Sequence, residues 1–222
     1  MKMNESQNEL QNESQKISKI MDLYTKWGAS DYIGESITQI EHALQCARQA
    51  VLDSRLAGYD NFTRNCMIVA ALLHDIGHLV GLEDGEMEMR LEGTSSESAS
   101  LGIVGHEDVG AALLKELGMP SLVSELVAGH VPAKRYICTT REGYYDSLSD
   151  ASKQTMQLQG GLMNSEEVRE FCGGVMPELK IYLREYDDAG KKKDMNLSSF
   201  GAGLLEYKTH LETALMHGRM FV

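Results

Sequence analysis

An adjacent histidine and aspartate, His74 and Asp75, lie in the most apolar stretch of the chain. A histidine nitrogen and a carboxylate oxygen can bind the same metal ion, and the carboxylate keeps a second oxygen for a neighbouring ion. Further candidate ligands stand on both sides in the sequence: His42, His106, His130 and Asp187. These six side chains provide enough donors for a site with two metal ions.

A lone histidine in a helical segment is more commonly a hydrogen-bonded core or surface residue than a ligand. Here four histidines each fall in a separate helical segment, and the core of a helical bundle brings such residues together. Mixed nitrogen and oxygen donors suit iron, manganese, cobalt or zinc rather than magnesium alone, so the donor types leave the metal open. The four cysteines lie far apart with no CxxC pair, and we expect none of them to join the site.

The hydrophobic periodicity predicts helices along most of the chain, and no alternation of strand length is present. The predicted helical segments are 17–27, 37–56, 62–78 as a central buried helix, 105–117, 121–130 ended by Pro132, several short helices in 133–172, 178–186 and 204–216. We therefore expect a single all-α domain over residues 16–222. Residues 1–15, rich in Asn, Glu, Ser and Gln, are predicted as a mobile tail, and 83–100 as an acidic surface loop or lid.

The composition argues against nucleic-acid and anionic-membrane partners and against a membrane-spanning protein. With 33 acidic and 21 basic residues in 222, the net charge is −12, which argues against a nucleic-acid or anionic-membrane partner. No stretch reaches the ~18 apolar residues that a membrane span needs. The N-terminus lacks a basic and then apolar segment, and the scattered cysteines are typical of reduced thiols. We expect a cytoplasmic protein that acts on a small molecule.

Six segments together resemble the HD-domain superfamily and, within it, the phosphonate-cleaving mixed-valence diiron oxygenases (PhnZ type), distant relatives of myo-inositol oxygenase. These segments are DYIGESITQIEHALQCA, AALLHDIGH, GHEDVGA, GHVPAKRY, LSDAS with the following QGG, and REYDDAGK, and they extend from about Asp31 to Lys191. Many phosphohydrolases share the His-Asp pair alone, whereas DYIGE together with GHVPAKRY and LSDAS…QGG is specific to this group. The resemblance implies an HD-type helical bundle.

The resemblance also implies a ligand set for two iron ions. The implied ligands of one iron are His42, His74, Asp75 and Asp187, and those of the other are Asp75, which bridges, His106 and His130. Open coordination on the second iron would then remain for substrate and dioxygen. Because Asp188 is adjacent to Asp187 and the phase of a helix is soft near its end, Asp188 stays an alternative ligand at this point.

Other positions match family residues that hold the phosphonate: His78, Lys134, Ser152, Thr155 and Arg184. A dianionic phosphonate needs fixed cations and hydroxyl donors, which these residues supply. His78 lies one turn beyond His74, and Lys134 lies four residues after His130, on a short helix expected after Pro132. We expect His74, Asp75, His78 and Lys134 to take part in catalysis. Surface charge is the alternative for Lys134 and Arg184.

Tyr32 and Glu35 precede the segment of His42 and match a family lid that responds to the amino group of the substrate. A carboxylate suits an ammonium, and an aromatic face can receive a methylated cation. The alternatives are a loop anchor for Tyr32 and favourable first-turn charge for Glu35.

The resemblance implies an oxygenase that uses dioxygen and an Fe(II)/Fe(III) pair. It would cleave the carbon–phosphorus bond of a 1-hydroxy-2-aminoethylphosphonate-type compound to phosphate and glycine, or a methylated glycine. One alternative is a metal-dependent HD phosphohydrolase acting on a nucleotide or phosphate ester, in which the same ligands activate water. Another is a catalytically inactive sensor with an intact HD fold.

Overall fold

The computed structural model describes residues 5–32, 34–85, 102–193 and 203–219. Its α-helices are α1 Glu5–Trp27, α2 Gln39–Leu52, α3 Asn61–Leu73, α4 Ile76–Asp84, α5 His106–Glu116, α6 Ser121–Thr140, α7 Tyr144–Ser147, α8 Asp150–Leu158, α9 Ser165–Gly173, α10 Pro177–Ala189 and α11 Lys208–Arg219. Two 3-10 helices, Ser54–Gly58 and Gly203–Tyr207, complete the described elements. The prediction of an all-α fold is confirmed.

Local sequence signals explain where the helices that carry the site begin. Thr38 opens α2 with a capping box, because its hydroxyl accepts from the Glu41 N–H while Glu41 Oε2 accepts from the Thr38 N–H (2.7 Å). Asp60 caps α3 in the same way, through the Thr63 N–H (2.7 Å). The first cap places His42 one turn into α2.

The His-Asp pair lies at a break between two helices, and the prediction of one helix over 62–78 was wrong. His74 is the C-cap of α3, and Asp75 leaves the helical region with φ −101° and ψ 9° before α4 begins. The axes of α3 and α4 meet at a bend of 42°. Without a proline or glycine at 74 or 75, no residue type in the sequence marks this break.

Pro132 does not end its helix, contrary to the prediction. The α6 helix continues from Ser121 through Pro132 to Thr140, so Lys134 follows His130 on the same helix, one turn later. An internal proline removes one hydrogen bond, at a cost of about 3 kcal/mol. Because α6 packs against α3, α5 and α10, tertiary contacts offset this cost.

The core surrounds α3, which packs against α2, α6, α10 and α11. Its residues from Cys66 to Leu73 are almost all fully buried. At the neighbouring contact of α4 with α5, a Cβ on Gly77 would lie 1.9 Å from the His106 carbonyl oxygen. This approach needs a glycine, and it brings the start of α5 close to the His-Asp pair.

Helix α1 includes residues 5–15, the part of the chain predicted as a tail. A helical conformation does not test mobility, so that boundary and the domain limits of 16–222 stay predictions; residues 1–4 lie outside the described residues. Most of the predicted loop or lid at 83–100 also lies outside them. Among the described helices none alone has the length and apolar composition to cross a membrane, although the bent pair α3–α4 has them together.

Candidate metal centre and adjoining pocket

The first of two donor clusters combines residues from α2, the α3–α4 junction and α10. His42 Nε2 lies 3.1 Å from His74 Nε2, 3.5 Å from Asp75 Oδ2 and 3.5 Å from Asp187 Oδ1. His74 Nε2 lies 3.3 Å from Asp75 Oδ2. We call these four residues the enclosed cluster, because both histidines are completely buried.

The second cluster is built on the other oxygen of Asp75. His106 Nε2 and His130 Nε2 lie 3.0 Å apart, and they lie 3.3 Å and 3.5 Å from Asp75 Oδ1. We call Asp75, His106 and His130 the open cluster, since all three line a pocket. One carboxylate thus faces a set of donors with each of its oxygens, which is the geometry of a bridging ligand.

Backbone hydrogen bonds fix the histidine rings. In three of them Nδ1–H donates to a carbonyl oxygen: His42 to Gly190 (2.9 Å), His74 to Ala71 (3.0 Å) and His130 to Val127 (2.7 Å). His106 Nδ1 instead lies 3.4 Å from Glu107 Oε2. Such partners select the tautomer that turns the Nε2 lone pair toward a metal.

The protonation states suit cation binding. Burial and the nearby His74 lower the pKa of His42 to about 4, and burial and His106 lower the pKa of His130 to about 3. Burial opposes ionisation of Asp75, but the charge of His74 holds its pKa well below the usual range. Burial likewise works against His74, yet Asp75 raises the pKa of His74 to about 9. The carboxylates therefore attract one positive charge, which a metal ion can supply in place of the proton.

Cys46 lies beside the enclosed cluster, a position that the sequence did not predict. One turn after His42, its Sγ lies 3.6 Å from His42 Nε2 and donates to the Tyr186 carbonyl oxygen (3.4 Å). Burial, followed by Asp187, raises the pKa of this thiol. Because its S–H is directed to the Tyr186 carbonyl oxygen, Cys46 is better explained as packing behind His42.

The structure separates the two adjacent aspartates. Asp187 faces the enclosed cluster, whereas Asp188 forms an ion pair with Arg184 and accepts from the Tyr144 hydroxyl. Arg184 also donates to Asp187 Oδ2 (2.6 Å), and its side chain is buried. Of the two aspartates, the geometry therefore favours Asp187 as ligand, with Arg184 as the group that orients it.

A pocket opens at the open cluster. It is lined by every residue predicted from the sequence to contact substrate: Tyr32, Glu35, His78, Lys134, Ser152, Thr155 and Arg184. Two further polar lining residues, Gln159 and Lys191, were not predicted. Gln159 begins the QGG motif and Lys191 ends the REYDDAGK segment, so their positions within quoted motifs could have identified them.

Lys134 is a deeply buried cation of the pocket wall, as is Arg184. Its ammonium donates to Thr155 Oγ1 (3.1 Å) and to Gln159 Oε1, and the residue is 3% exposed. Burial, followed by the positive charge of Arg184, lowers the pKa of Lys134 to about 7. An anion bound in this pocket would favour the protonated form.

His78 presents a hydrogen-bond donor to the same pocket. Its Nδ1 accepts from the Ile103 N–H (3.0 Å), and its ring stacks on His106 with centroids 3.9 Å apart. Burial, together with the charge of His106, holds the pKa of His78 well below its usual value, so the ring is neutral. A neutral ring that accepts at Nδ1 carries its proton on Nε2.

Tyr32 and Glu35 form the side of the pocket in the loop between α1 and α2. The Tyr32 ring stacks on His42 with centroids 3.9 Å apart, and its hydroxyl donates weakly to Asp187 Oδ1 (3.5 Å). Glu35 Oε1 is buried without a hydrogen-bond partner among the described residues. A buried carboxylate oxygen in this state favours a ligand that brings a donor.

Comparison with known proteins agrees with this geometry. The HD-domain family profile matches residues 40–159, which include five of the six candidate ligands. The hydroxymethylphosphonate dioxygenase of Gimesia maris is 36% identical over 203 residues, covering 91% of this chain and 90% of that protein. The [1-hydroxy-2-(trimethylamino)ethyl]phosphonate dioxygenase (glycine-betaine-forming) of Leisingera caerulea is 38% identical over 180 residues, 80% of this chain and 81% of the relative.

A protein of Acanthamoeba polyphaga mimivirus whose name states no function is 37% identical over 177 residues, covering 80% of this chain and 73% of its own length. The profile match spans more than half of the chain, and each of these alignments covers more than two thirds of the relative. The chain therefore belongs to the HD-domain family and, within it, to the group of the phosphonate dioxygenases.

Proposed function

We propose that this protein is a diiron oxygenase that uses dioxygen to cleave the carbon–phosphorus bond of a 1-hydroxy-2-aminoethylphosphonate-type compound, forming phosphate and an amino acid, either glycine or a methylated glycine. The observation that carries the proposal is the position of Asp75, which joins two donor clusters at one end of a pocket with cationic walls. The two bacterial relatives are named as dioxygenases of hydroxyphosphonates, which supports the reaction type, and the substrate named for the Leisingera caerulea relative also carries a trimethylamino group.

Six residues would hold the metal ions: His42, His74, Asp75 and Asp187 at the enclosed cluster, and His106 and His130 with Asp75 at the open one. Histidine and carboxylate donors fit iron, and fewer protein donors at the open cluster leave positions for other ligands. The chemistry that a bound iron pair supplies is activation of dioxygen and acceptance of electrons from the carbon attached to phosphorus.

The pocket residues bind and orient the substrate. Lys134 supplies a positive charge, and the Ser152 hydroxyl and the Nε2–H of His78 supply hydrogen-bond donors for phosphonate oxygens. Thr155, whose hydroxyl accepts from Lys134 and donates to the Ser152 carbonyl oxygen (3.1 Å), holds Lys134 in place beside the phosphonate. Because Lys134 follows His130 by one turn of α6, the anion it holds lies next to the open cluster. Fixing the anion there places the hydroxyl-bearing carbon beside the cluster.

Glu35 and Tyr32 act at the other end of the substrate. The unpartnered oxygen of Glu35 accepts from the ammonium, and the Tyr32 ring closes that side of the pocket. Tyr32 also shields His42 and Asp187 from solvent.

The proposed reaction balances with dioxygen as the only oxidant. The dianion R–CH(OH)–PO₃²⁻ and O₂ give R–COO⁻, HPO₄²⁻ and H⁺. The carbon–phosphorus and carbon–hydrogen bonds break, new carbon–oxygen and phosphorus–oxygen bonds form, and the carbon is oxidised while dioxygen is reduced. Oxidation is needed because water attack alone gives the carbon–phosphorus bond no good leaving group.

The proposal also covers the cellular location, the partners and the domain limits of the enzyme. It acts on a small molecule in the cytoplasm, without a nucleic-acid or membrane partner, as its net charge of −12 supports. Residues 16–222 form its single domain.

The test is phosphate release from (R)-2-amino-1-hydroxyethylphosphonate by the iron-loaded protein, in air and under argon, with oxygen uptake recorded. We expect equal amounts of phosphate formed and oxygen consumed, and neither under argon. Hydroxymethylphosphonate and the trimethylammonium compound serve as comparison substrates. Phosphate release that persists under argon, or that is found only with phosphate esters, would support an HD phosphohydrolase instead.

A further inference from the structure

Lys191 stands in the pocket wall with its ammonium between three acceptors. It donates to Ser152 Oγ (2.9 Å), and it lies 3.9 Å from Glu35 Oε1 and 3.8 Å from Asp187 Oδ1. The side chains of Lys191 and Glu35 are only 14% and 19% exposed. The ammonium is therefore shared between the phosphonate side of the pocket, at Ser152, and the amine side, at Glu35.

The contact of Lys191 with Glu35 is one of charge and not of hydrogen bonding. A separation of 3.9 Å is too long for a hydrogen bond, and Glu35 Oε1 has no such partner among the described residues. Lys191 thus neutralises Glu35 while leaving its oxygen able to accept. If Asp187 holds a metal ion, the charge that it offers to Lys191 is smaller, and Glu35 becomes the main anionic neighbour of Lys191.

An aminophosphonate carries an ammonium and a phosphonate, so it can replace each partner of the Lys191–Glu35 pair. Its ammonium can take the place of Lys191 at Glu35, and its phosphonate can take the place of Glu35 at Lys191, beside the hydroxyl of Ser152. Each buried charge then keeps a partner of opposite sign. An anion without an amine can occupy only the second position, so it draws Lys191 away and leaves Glu35 without a counter-charge.

We propose that Lys191 is a phosphonate-binding and specificity-determining residue: its internal pairing with Glu35 is exchanged for the two ends of a zwitterionic substrate, so phosphonates without an ammonium bind more weakly. The inference rests on the proposed function for the substrate class, but it concerns binding alone.

The experiment compares two ligands that differ only in the amine, 2-aminoethylphosphonate and ethylphosphonate. Neither carries the hydroxyl at the carbon to be oxidised, so binding to the metal-loaded protein can be measured by calorimetry without turnover. The variants are Glu35→Gln, Lys191→Met and the double variant. Lys192→Met is the matched control, since the neighbouring Lys192 is exposed and does not line the pocket.

We expect Lys191→Met to weaken ethylphosphonate binding about 10-fold, the loss of one charge-assisted hydrogen bond, while Lys192→Met has little effect. Glu35→Gln should weaken 2-aminoethylphosphonate but strengthen ethylphosphonate, because Lys191 no longer has to leave a carboxylate. In the Lys191→Met background, Glu35→Gln should leave ethylphosphonate binding unchanged.

Two results would overturn the role of Lys191. One is unchanged ethylphosphonate binding in a folded Lys191→Met protein. The other is strengthening by Glu35→Gln that persists without Lys191, because a simple repulsion between Glu35 and the anion would then explain it. Should Lys191→Met fail to fold, Lys191→Gln serves in its place, and Lys191→Arg should keep anion binding.

Failure of this inference is distinguishable from failure of the proposed function. If the protein shows no oxygen-dependent turnover but the variants bind the two ligands as expected, the oxygenase is rejected and the exchange at Lys191 is retained. If oxygen-dependent turnover is found but Lys191→Met binds ethylphosphonate as the unchanged protein does, the oxygenase is retained and the exchange at Lys191 is rejected.

Discussion

The enclosed and open clusters share Asp75 but differ in their surroundings. The enclosed cluster has four protein donors, its two histidines are completely buried, and neither of them lines the pocket. The open cluster has three donors, all of which line the pocket next to Lys134 and His78. A site for chemistry must keep positions for ligands other than the protein. If both clusters hold iron as proposed, we therefore expect substrate to contact the metal of the open cluster, while the enclosed cluster holds its metal with more protein donors.

The largest effect is expected from Asp75→Ala, which removes the residue common to both clusters. The variant should lose metal from both and show no measurable turnover. Metal content by elemental analysis and phosphate release check this outcome. Asp108→Ala, an exposed carboxylate on α5, is the control and should keep both properties. Full iron content with retained activity in Asp75→Ala would contradict the two-cluster assignment.

A second comparison separates the two neighbouring aspartates. Asp187→Asn removes a donor of the enclosed cluster, whereas Asp188→Asn affects only the ion pair with Arg184 and the contact with Tyr144. We expect turnover to fall by at least about 100-fold in Asp187→Asn and by about 10-fold or less in Asp188→Asn, as for a supporting residue. Equal losses of activity and metal in the two variants would contradict the orientation of α10 in which Asp187, and not Asp188, faces the enclosed cluster.

The pH dependence of anion binding tests the pocket beside the open cluster, where Lys134 lies. Because the pKa of Lys134 is lowered to about 7 by burial and by Arg184, its ammonium loses its proton as the pH rises above that value. Affinity for sulfate, whose charge is constant in this range, should be flat below pH 7 and then fall by up to about tenfold per pH unit, the limit for one proton. Lys134→Arg should remove this fall between about pH 6 and about pH 9. An unchanged slope in that variant would assign the titration to another group.

The smallest effect concerns the support of His42. Gly190 accepts from His42 Nδ1–H, and a Cβ at this residue would lie 2.4 Å from Cys46 Sγ and 3.3 Å from His42 Nδ1. Gly190→Ala should therefore destabilise the fold by about 1–3 kcal/mol, as overpacking does, and weaken metal retention at the enclosed cluster. Denaturant unfolding and metal content measure both effects. Adding Cys46→Ala should restore part of the loss, and no restoration would place the strain elsewhere.

Periodicity and residue type were sufficient to predict most helices and the candidate ligands. The apolar faces of the helices and the end of the first helix before Gly28 required no tertiary information, because helix formation and termination are local. The two errors on the helices had a tertiary cause. Packing against α3, α5 and α10 carries α6 through Pro132, and the bend at His74 and Asp75 is marked by no local residue type.

Residue order alone was sufficient to predict the all-α fold and the six candidate ligands, because helical periodicity and the spacing of the histidines are properties of the sequence. The residues proposed to bind substrate were identified through the motifs that carry the family resemblance. The packing of the helices was needed to show which oxygen of Asp75 faces which histidines, that Asp187 and not Asp188 points to His42, and that Cys46 and Lys191 lie at the site. Those relations join segments up to 145 residues apart, from His42 to Asp187, and their distances depend on how the helices pack.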